Sequence, residues 1–152
     1  MAHWRMQLHP AQPGAAVMHT VTSLAAGYIG LDFGSDVGNL LLLNKEQLPE
    51  GQRDFWDFAH EMKLGDAVLI ITHHFPFALV EISGPYNYMI RPEPHIGVWF
   101  RHFRAVKTVG YFADFLTNAR EWPQLTMTDT ISPLHDPSSK SYQLIEDWLS
   151  AA

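Results

Sequence analysis

Apolar and polar positions alternate most clearly in the middle of the chain. The stretch Gly65 to Tyr86 holds two β-rich runs flanking Phe75-Pro76-Phe77, punctuated by the turn dipeptides Gly65-Asp66 and Gly84-Pro85. This pattern predicts a hairpin with a tight Phe-Pro-Phe connection. Val68, Ile70 and Thr72 alternate with Leu69, Ile71 and His73, and both sets are largely apolar, so the first strand is expected to be covered on both faces, as in a small closed barrel. Trp4-Arg5-Met6-Gln7-Leu8 predicts an opening strand with Trp4, Met6 and Leu8 on one face, ended by His9-Pro10. Three- and four-residue spacing predicts a helix over Val17 to Ala26, with Val17, Val21 and Leu24 inward and Gly27 closing it. A second helix is expected over Gln52 to Met62, with Phe55, Phe58, Ala59 and Met62 inward and Trp56 off that face.

Tyr28 to Phe33 is β-like but carries Gly30 inside and Asp32 near its end. An internal glycine marks a bulge or a close approach to the backbone, which makes this stretch a candidate pocket wall. The apolar run Leu40 to Leu43 fits either a helix or a strand. After the hairpin, Tyr86 to Ile90 extends the second strand past Gly84-Pro85, and Arg91 to His95 is a stiff, proline-bearing loop. A strand is expected over Val98 to Val109, where Arg101, Phe103, Ala105 and Lys107 alternate with Phe100, His102, Arg104 and Val106. Basic residues therefore project from both faces, and phosphate contacts stand level with solvated charges on an edge strand as their explanation. Tyr111 to Arg120 reads as a helix with Phe112, Phe115 and Leu116 inward, and Thr126 to Ile131 as a last strand. Ser139 to Leu149 reads as a terminal helix aligning Tyr142, Ile145 and Leu149.

With 152 residues, 47% of them hydrophobic, one domain with one packed core is the simplest organisation. The absence of cysteine excludes disulfides and thiolate metal sites and fits a reducing cytosol. No apolar run approaches the roughly 20 residues that span a bilayer, and Met1 to Arg5 lacks the apolar core of a leader. A soluble, cytoplasmic chain with no membrane partner is expected. A net charge of -6 argues against gripping nucleic acid by charge alone. Nine histidines and 12% aromatics are more unusual, and aromatics left over from the core are what a stacking site uses.

Enzyme signatures are near misses. His60-Glu61 lacks a second histidine four residues on, so it does not make a zincin helix. His73 and His74 point to opposite sides of a strand and do not chelate one ion together. Glu81-Ile82-Ser83 lacks the lysine of a nuclease Glu-x-Lys triplet, and no nucleophile elbow, phosphate loop or dinucleotide fingerprint is present. A non-catalytic domain without cofactor or metal is expected.

Several of these stretches carry a resemblance. Tyr28-Ile29-Gly30-Leu31-Asp32-Phe33, Met62-Lys63-Leu64-Gly65-Asp66 before Ala67-Val68-Leu69-Ile70, Ala78 to Tyr88, and Phe103 to Val109 resemble the PUA-like superfamily. The order is most similar to the EVE and YTH-type reader domains at the N-terminus of modification-dependent restriction proteins of the McrB kind. The similarity spans roughly residues 4 to 131. It implies an α+β fold, a small PUA-like β-barrel with flanking helices, in which residues 1–152 form the N-terminal part of a larger protein.

The resemblance also implies a function. The domain would bind double-stranded DNA carrying a methylated or hydroxymethylated base, flip that base into an aromatic pocket, and direct a nuclease or GTPase domain or subunit. Position by position, the family's Gly-Ile-Gly-aromatic element falls on Gly27 to Phe33, which puts Tyr28, Asp32 and Phe33 at the pocket; relatives often have Gly-Trp where this chain has Asp32-Phe33. Trp4, Tyr86 and Tyr88 are the other candidate walls, and Arg101, Arg104 and Lys107 the candidate phosphate contacts. A pocket of this kind returns the stacking that an extruded base loses, and Asp32 can accept from an exocyclic amine. An RNA-binding PUA-like module and a protein-interaction domain remain alternatives.

Overall fold

A strand that is apolar on both sides belongs in the interior of a sheet, and the computed structural model puts Ala67–Thr72 there, with every residue buried. The structure describes residues 1–8, 16–33, 35–72, 75–92, 100–112, 125 and 130–151. Within them the strands are β1 (His3–Gln7), β2 (Tyr28–Leu31), β3 (Ala67–Thr72), β4 (Phe75–Tyr88), β5 (His102–Tyr111) and β6 (Ile131–Leu134). The α-helices are α1 (Ala16–Ala25), α2 (Phe55–His60) and α3 (Lys140–Ala151), and Leu40–Leu42 forms a short 3-10 turn. The strands form one curled, half-barrel sheet in the order β2-β5-β4-β3-β1-β6, an α+β architecture. β1 runs parallel to β3 and antiparallel to β6, and the other ladders are antiparallel. No helix among the described residues is long and apolar enough to cross a membrane.

The two phases of β3 serve two cores. Val68 and Ile70 pack with Trp4, Met6, Leu8, Leu24, Phe58 and Met62. Ala67, Leu69 and Ile71 pack on the opposite face with Phe112, Leu125, Ile145 and Trp148. The face expected for β1 is therefore the one used, and so is the inward face of α2.

The differences from the sequence pattern have local causes. Phe75 and Pro76 belong to the ladder, opposite Thr72 and Ile71, rather than to the connection of the hairpin; His73 and His74 lie outside the described residues. The proline lacks an N–H and sits where the register shifts beside Ile70/Ile71, the kind of irregularity that tolerates it. Val21 points to solvent, while Thr20, Ser23 and Leu24 line the buried side of α1; the side chain of Val17 lies outside the described part. In α3 the buried stripe is Ser141, Ile145 and Trp148. It is turned by one position from the expected Tyr142, Ile145 and Leu149 because the Trp148 indole packs edge-on against Phe112, with ring centroids 5.5 Å apart. Val98 and Trp99 at the start of the expected fifth strand, the expected helix beyond Phe112 and most of the strand expected before Ile131 lie outside the described residues.

Two buried charges organise the polar framework. Asp66 is 4% exposed, and its carboxylate accepts from the backbone N–H groups of Ala2 and Lys63 and from the Trp4 indole. It ties the start of β1 to the turn that opens β3. Arg104 on β5 is also 4% exposed. Its Nε donates to the Gly84 carbonyl at 3.1 Å, and one terminal nitrogen donates to Phe58 and Met62 at 3.1 and 2.7 Å. The last two are carbonyls at the C-terminal end of α2, where the helix dipole favours a cation. Truncating this side chain leaves three buried acceptors without their donor, so Arg104→Ala is expected to lower the unfolding free energy by roughly 3–5 kcal/mol. Lys107→Ala, on the exposed side of the same strand, should change it by no more than about 0.5 kcal/mol. Denaturant melts of both variants check the contrast.

Candidate functional site

Three strands end at one place. Leu31 of β2 and Tyr88 of β4 are both register partners of His102, the first residue of β5. The strands can come this close because residue 30 is glycine. A Cβ there would lie 2.5 Å from the His102 carbonyl oxygen and 2.5 Å from the Phe100 ring, so a larger residue would push β5 away. The close approach expected from the internal glycine is thus made by Phe100 and His102.

Around this junction the chain assembles an aromatic cluster on His102, which is fully buried. The Phe33 ring meets the imidazole edge-on at 5.4 Å between centroids, Tyr86 stacks at 5.9 Å, and Tyr88 lies tilted at 5.4 Å. Phe33 is backed in turn by Phe55 of α2 at 4.9 Å. Tyr86 is held from two sides: its oxygen accepts the Leu40 backbone N–H at 3.1 Å and lies 2.6 Å from His102 Nδ1.

Charged groups rim the cluster. Arg101 donates to Asp32 Oδ1 at 2.9 Å, and Asp32 Oδ1 also takes the Phe33 N–H at 2.8 Å. The Tyr88 hydroxyl donates to Asp36, at 2.8 and 2.7 Å from its two oxygens. That bond, with the Gly38 N–H, holds the Asp36 carboxyl below the usual range and raises the Tyr88 phenol. Burial pushes the Tyr86 phenol up to about 12. Burial also pushes the His102 imidazole down to about 4, outweighing the attraction of Asp32 and Asp36. At neutral pH the cluster therefore holds a neutral imidazole, two protonated phenols, one ion pair and the Asp36 carboxylate. Chemically it offers aromatic surface, carboxylate acceptors and a polar ring. Among the described residues no group of histidine, aspartate and glutamate is placed to hold a metal ion.

No protein-family model and no curated protein matches the chain. Solved structures do. The YTH domain of the Zygosaccharomyces rouxii MRB1 protein, in complex with N6-methyladenosine RNA, superposes with a TM-score of 0.53 at 11% identity, covering 97% of this chain and 86% of that one. The fold is YTH-like. A protein from Pseudomonas putida (14% identity, TM-score 0.45, 97% and 99% coverage) and a hypothetical protein from Leishmania major (10%, 0.44, 99% and 96%) are also similar. At these identities the likeness is one of fold.

On this YTH-like frame the residues singled out from the sequence separate into two groups. Asp32, Phe33, Tyr86, Tyr88 and Arg101 come together at the junction. Trp4 does not: it is 5% exposed within the main core, with its indole N–H on Asp66 Oδ2 at 3.0 Å. Tyr28 sits at the other end of β2, edge-on to Phe103 at 5.6 Å. The basic stripe also divides, because alternate residues of a strand face opposite ways. Arg104 points inward and is consumed by three carbonyls, so it is not available to a phosphate. Arg101 is paired with Asp32, and Lys107 is exposed opposite Glu81.

Sequence reasoning passed over His102, Asp36 and the Leu40 N–H. The available signal was that His102 shares its strand phase with Phe100, Arg104 and Val106, all buried. His60, the last residue of α2, is half-buried. It stacks on Trp56 at 3.9 Å, and its Nε2–H donates to the Leu40 carbonyl at 2.8 Å.

Burial of a neutral imidazole has a pH signature. The unfolded chain protonates this ring near its ordinary value of about 6.5, whereas the folded chain does not until about pH 4. The contribution is therefore complete above pH 6.5 and is lost as the pH falls toward 4, by up to about 3 kcal/mol. Melts from pH 7 to pH 4 should show His102→Gln losing less stability across this window than the parent, and parallel curves would place the titration elsewhere.

Proposed function

We propose that this domain reads a modified base in nucleic acid, taking an extruded methylated or hydroxymethylated base at the cluster of Phe33, Tyr86 and Tyr88. The observation that carries the reading is the convergence of these three rings, rimmed by carboxylates, where three strands of a YTH-like fold end. A base taken out of its stack loses a few kcal/mol that aromatic faces must return. Phe33 and Tyr86 are buried and Tyr88 is half-exposed, so in this reading the first two would back the base and Tyr88 would cover it. The carboxylates of Asp32 and Asp36 are acceptors of the kind that suits an exocyclic amine.

DNA is the nucleic acid we favour, with the domain as the specificity module of a restriction system whose nuclease or GTPase acts as a further domain or subunit. The resemblance of Tyr28 to Phe33 and Phe103 to Val109 to such readers supports it. RNA is the second reading, supported by the N6-methyladenosine RNA in the complex of the similar YTH domain. In either case the net charge of -6, with Arg104 inside and Arg101 paired, leaves recognition to the base more than to the backbone, and a shallow salt dependence follows.

Competition binding decides among these. The probes are matched DNA oligonucleotides, single-stranded and duplex, bearing 5-methylcytosine, 5-hydroxymethylcytosine or N6-methyladenine, and RNA bearing N6-methyladenosine. One buried methyl group contributes about 0.8 kcal/mol, and a polar group left unsatisfied by the unmodified base adds to it, so a preference of about tenfold is expected. Tyr88→Ala should remove it. Affinity indifferent both to modification and to Tyr88 would sink the reading.

A further inference from the structure

The hydrogen bonds around His102 fix which of its nitrogens carries the proton. The Tyr86 oxygen already accepts from the Leu40 N–H, and Tyr86 remains a protonated phenol, so its own O–H needs an acceptor. His102 Nδ1, at 2.6 Å, is the acceptor in reach. If Nδ1 carried the proton, the phenol hydrogen would have no partner among the described residues. The neutral imidazole is thus the Nε2–H tautomer, an assignment that follows from the network.

His102 Nε2 is itself buried and has no hydrogen-bond partner among the described residues. Buried polar groups are nearly always satisfied, and one that is not, in the middle of an aromatic cluster, calls for an explanation. Its surroundings are the rings of Phe33, Tyr86 and Tyr88 and the charges of Asp32, Asp36 and Arg101.

Resting on the base-reading function proposed above, we infer that His102 Nε2–H is a fixed hydrogen-bond donor for the bound base, which must turn an unprotonated ring nitrogen toward it. Leu40 N–H, Tyr86 O–H and His102 Nδ1 form a chain that sets the direction of this donor before a ligand arrives. The ligand class is a base modified on an exocyclic group or on carbon, with its ring acceptor free. A base alkylated on that ring nitrogen presents a methyl group to an N–H and is rejected. The inference requires the half-exposed Tyr88, tilted against the imidazole at 5.4 Å between centroids, to move aside when a base enters.

The test removes the acceptor from the ligand. Oligonucleotides carrying N6-methyladenine are compared with analogues in which N1, N3 or N7 is replaced by C–H, and 5-methylcytosine with its N3 C–H analogue. For the preferred base, one replacement should weaken binding to the parent by about tenfold, while the others change it little. His102→Gln, which keeps an N–H donor, should retain that sensitivity, and His102→Phe should lose it. Should His102→Phe fail to fold, long-range 1H–15N spectra of the parent give a second readout. They should show the Nε2–H tautomer, with its nitrogen shift moving on addition of the preferred oligonucleotide. A parent that prefers the modified base yet is indifferent to every replacement, or an Nδ1–H tautomer, overturns this inference alone. A parent that shows no preference for modification overturns the base-reading function and this inference with it.

Discussion

Arg104 is the contact on which the arrangement depends. A guanidinium in the interior is stable only if its donors are used, and here the partners come from two separate elements: the irregular stretch of β4 at Gly84 and the end of α2 at Phe58 and Met62. Burial disfavours the charged form, and the buried Asp66 carboxylate offsets part of that penalty. One side chain therefore sets how α2 lies on the sheet. α2 carries Phe55, which backs Phe33, and His60, which holds the Leu40 carbonyl. Leu40 in turn presents the N–H that orients Tyr86. The functional cluster is thus positioned by packing two steps removed from it.

The parts of the fold legible in the sequence are those where one physical effect dominates. β3 is legible because both its phases are apolar, the β1 face because Trp4, Met6 and Leu8 alternate with polar residues, and Gly30 because only close approach favours glycine inside a strand. What alternation does not reveal is whether a polar residue on an inward phase has partners. Arg104 and Lys107 look alike in the sequence, yet they differ by the carbonyls that α2 and Gly84 bring from 20 to 46 positions away. Trp4 resembles a pocket wall for the converse reason: an aromatic on an inward phase is core unless something opens a space beside it. His102 carries a readable signal in its strand phase, but its meaning depends on Tyr86 and Leu40, which are distant in the chain.

The site holds its charges at the edge and its neutral polar groups at the centre. Asp32 with Arg101, and Asp36 with Tyr88, remain in contact with solvent, where ion pairs and hydrogen-bonded carboxylates are stable. The buried interior is left to neutral imidazole and phenol. This separation avoids the large penalty of a buried unpaired charge while keeping directional donors and acceptors inside.

The placement of β1 has a consequence for how the chain reaches this state. β1 lies between β3, its parallel partner, and β6, which follows more than a hundred residues later in the sequence. Even the His3 contact to Glu146 spans 143 positions. Contacts across such separations raise the contact order of the fold, which slows folding. Until Ile131–Leu134 has been synthesised, the first strand presents an open hydrogen-bonding edge beside apolar side chains, the form most prone to pair with a second molecule. β1 gains its second ladder partner only when β6 has been made.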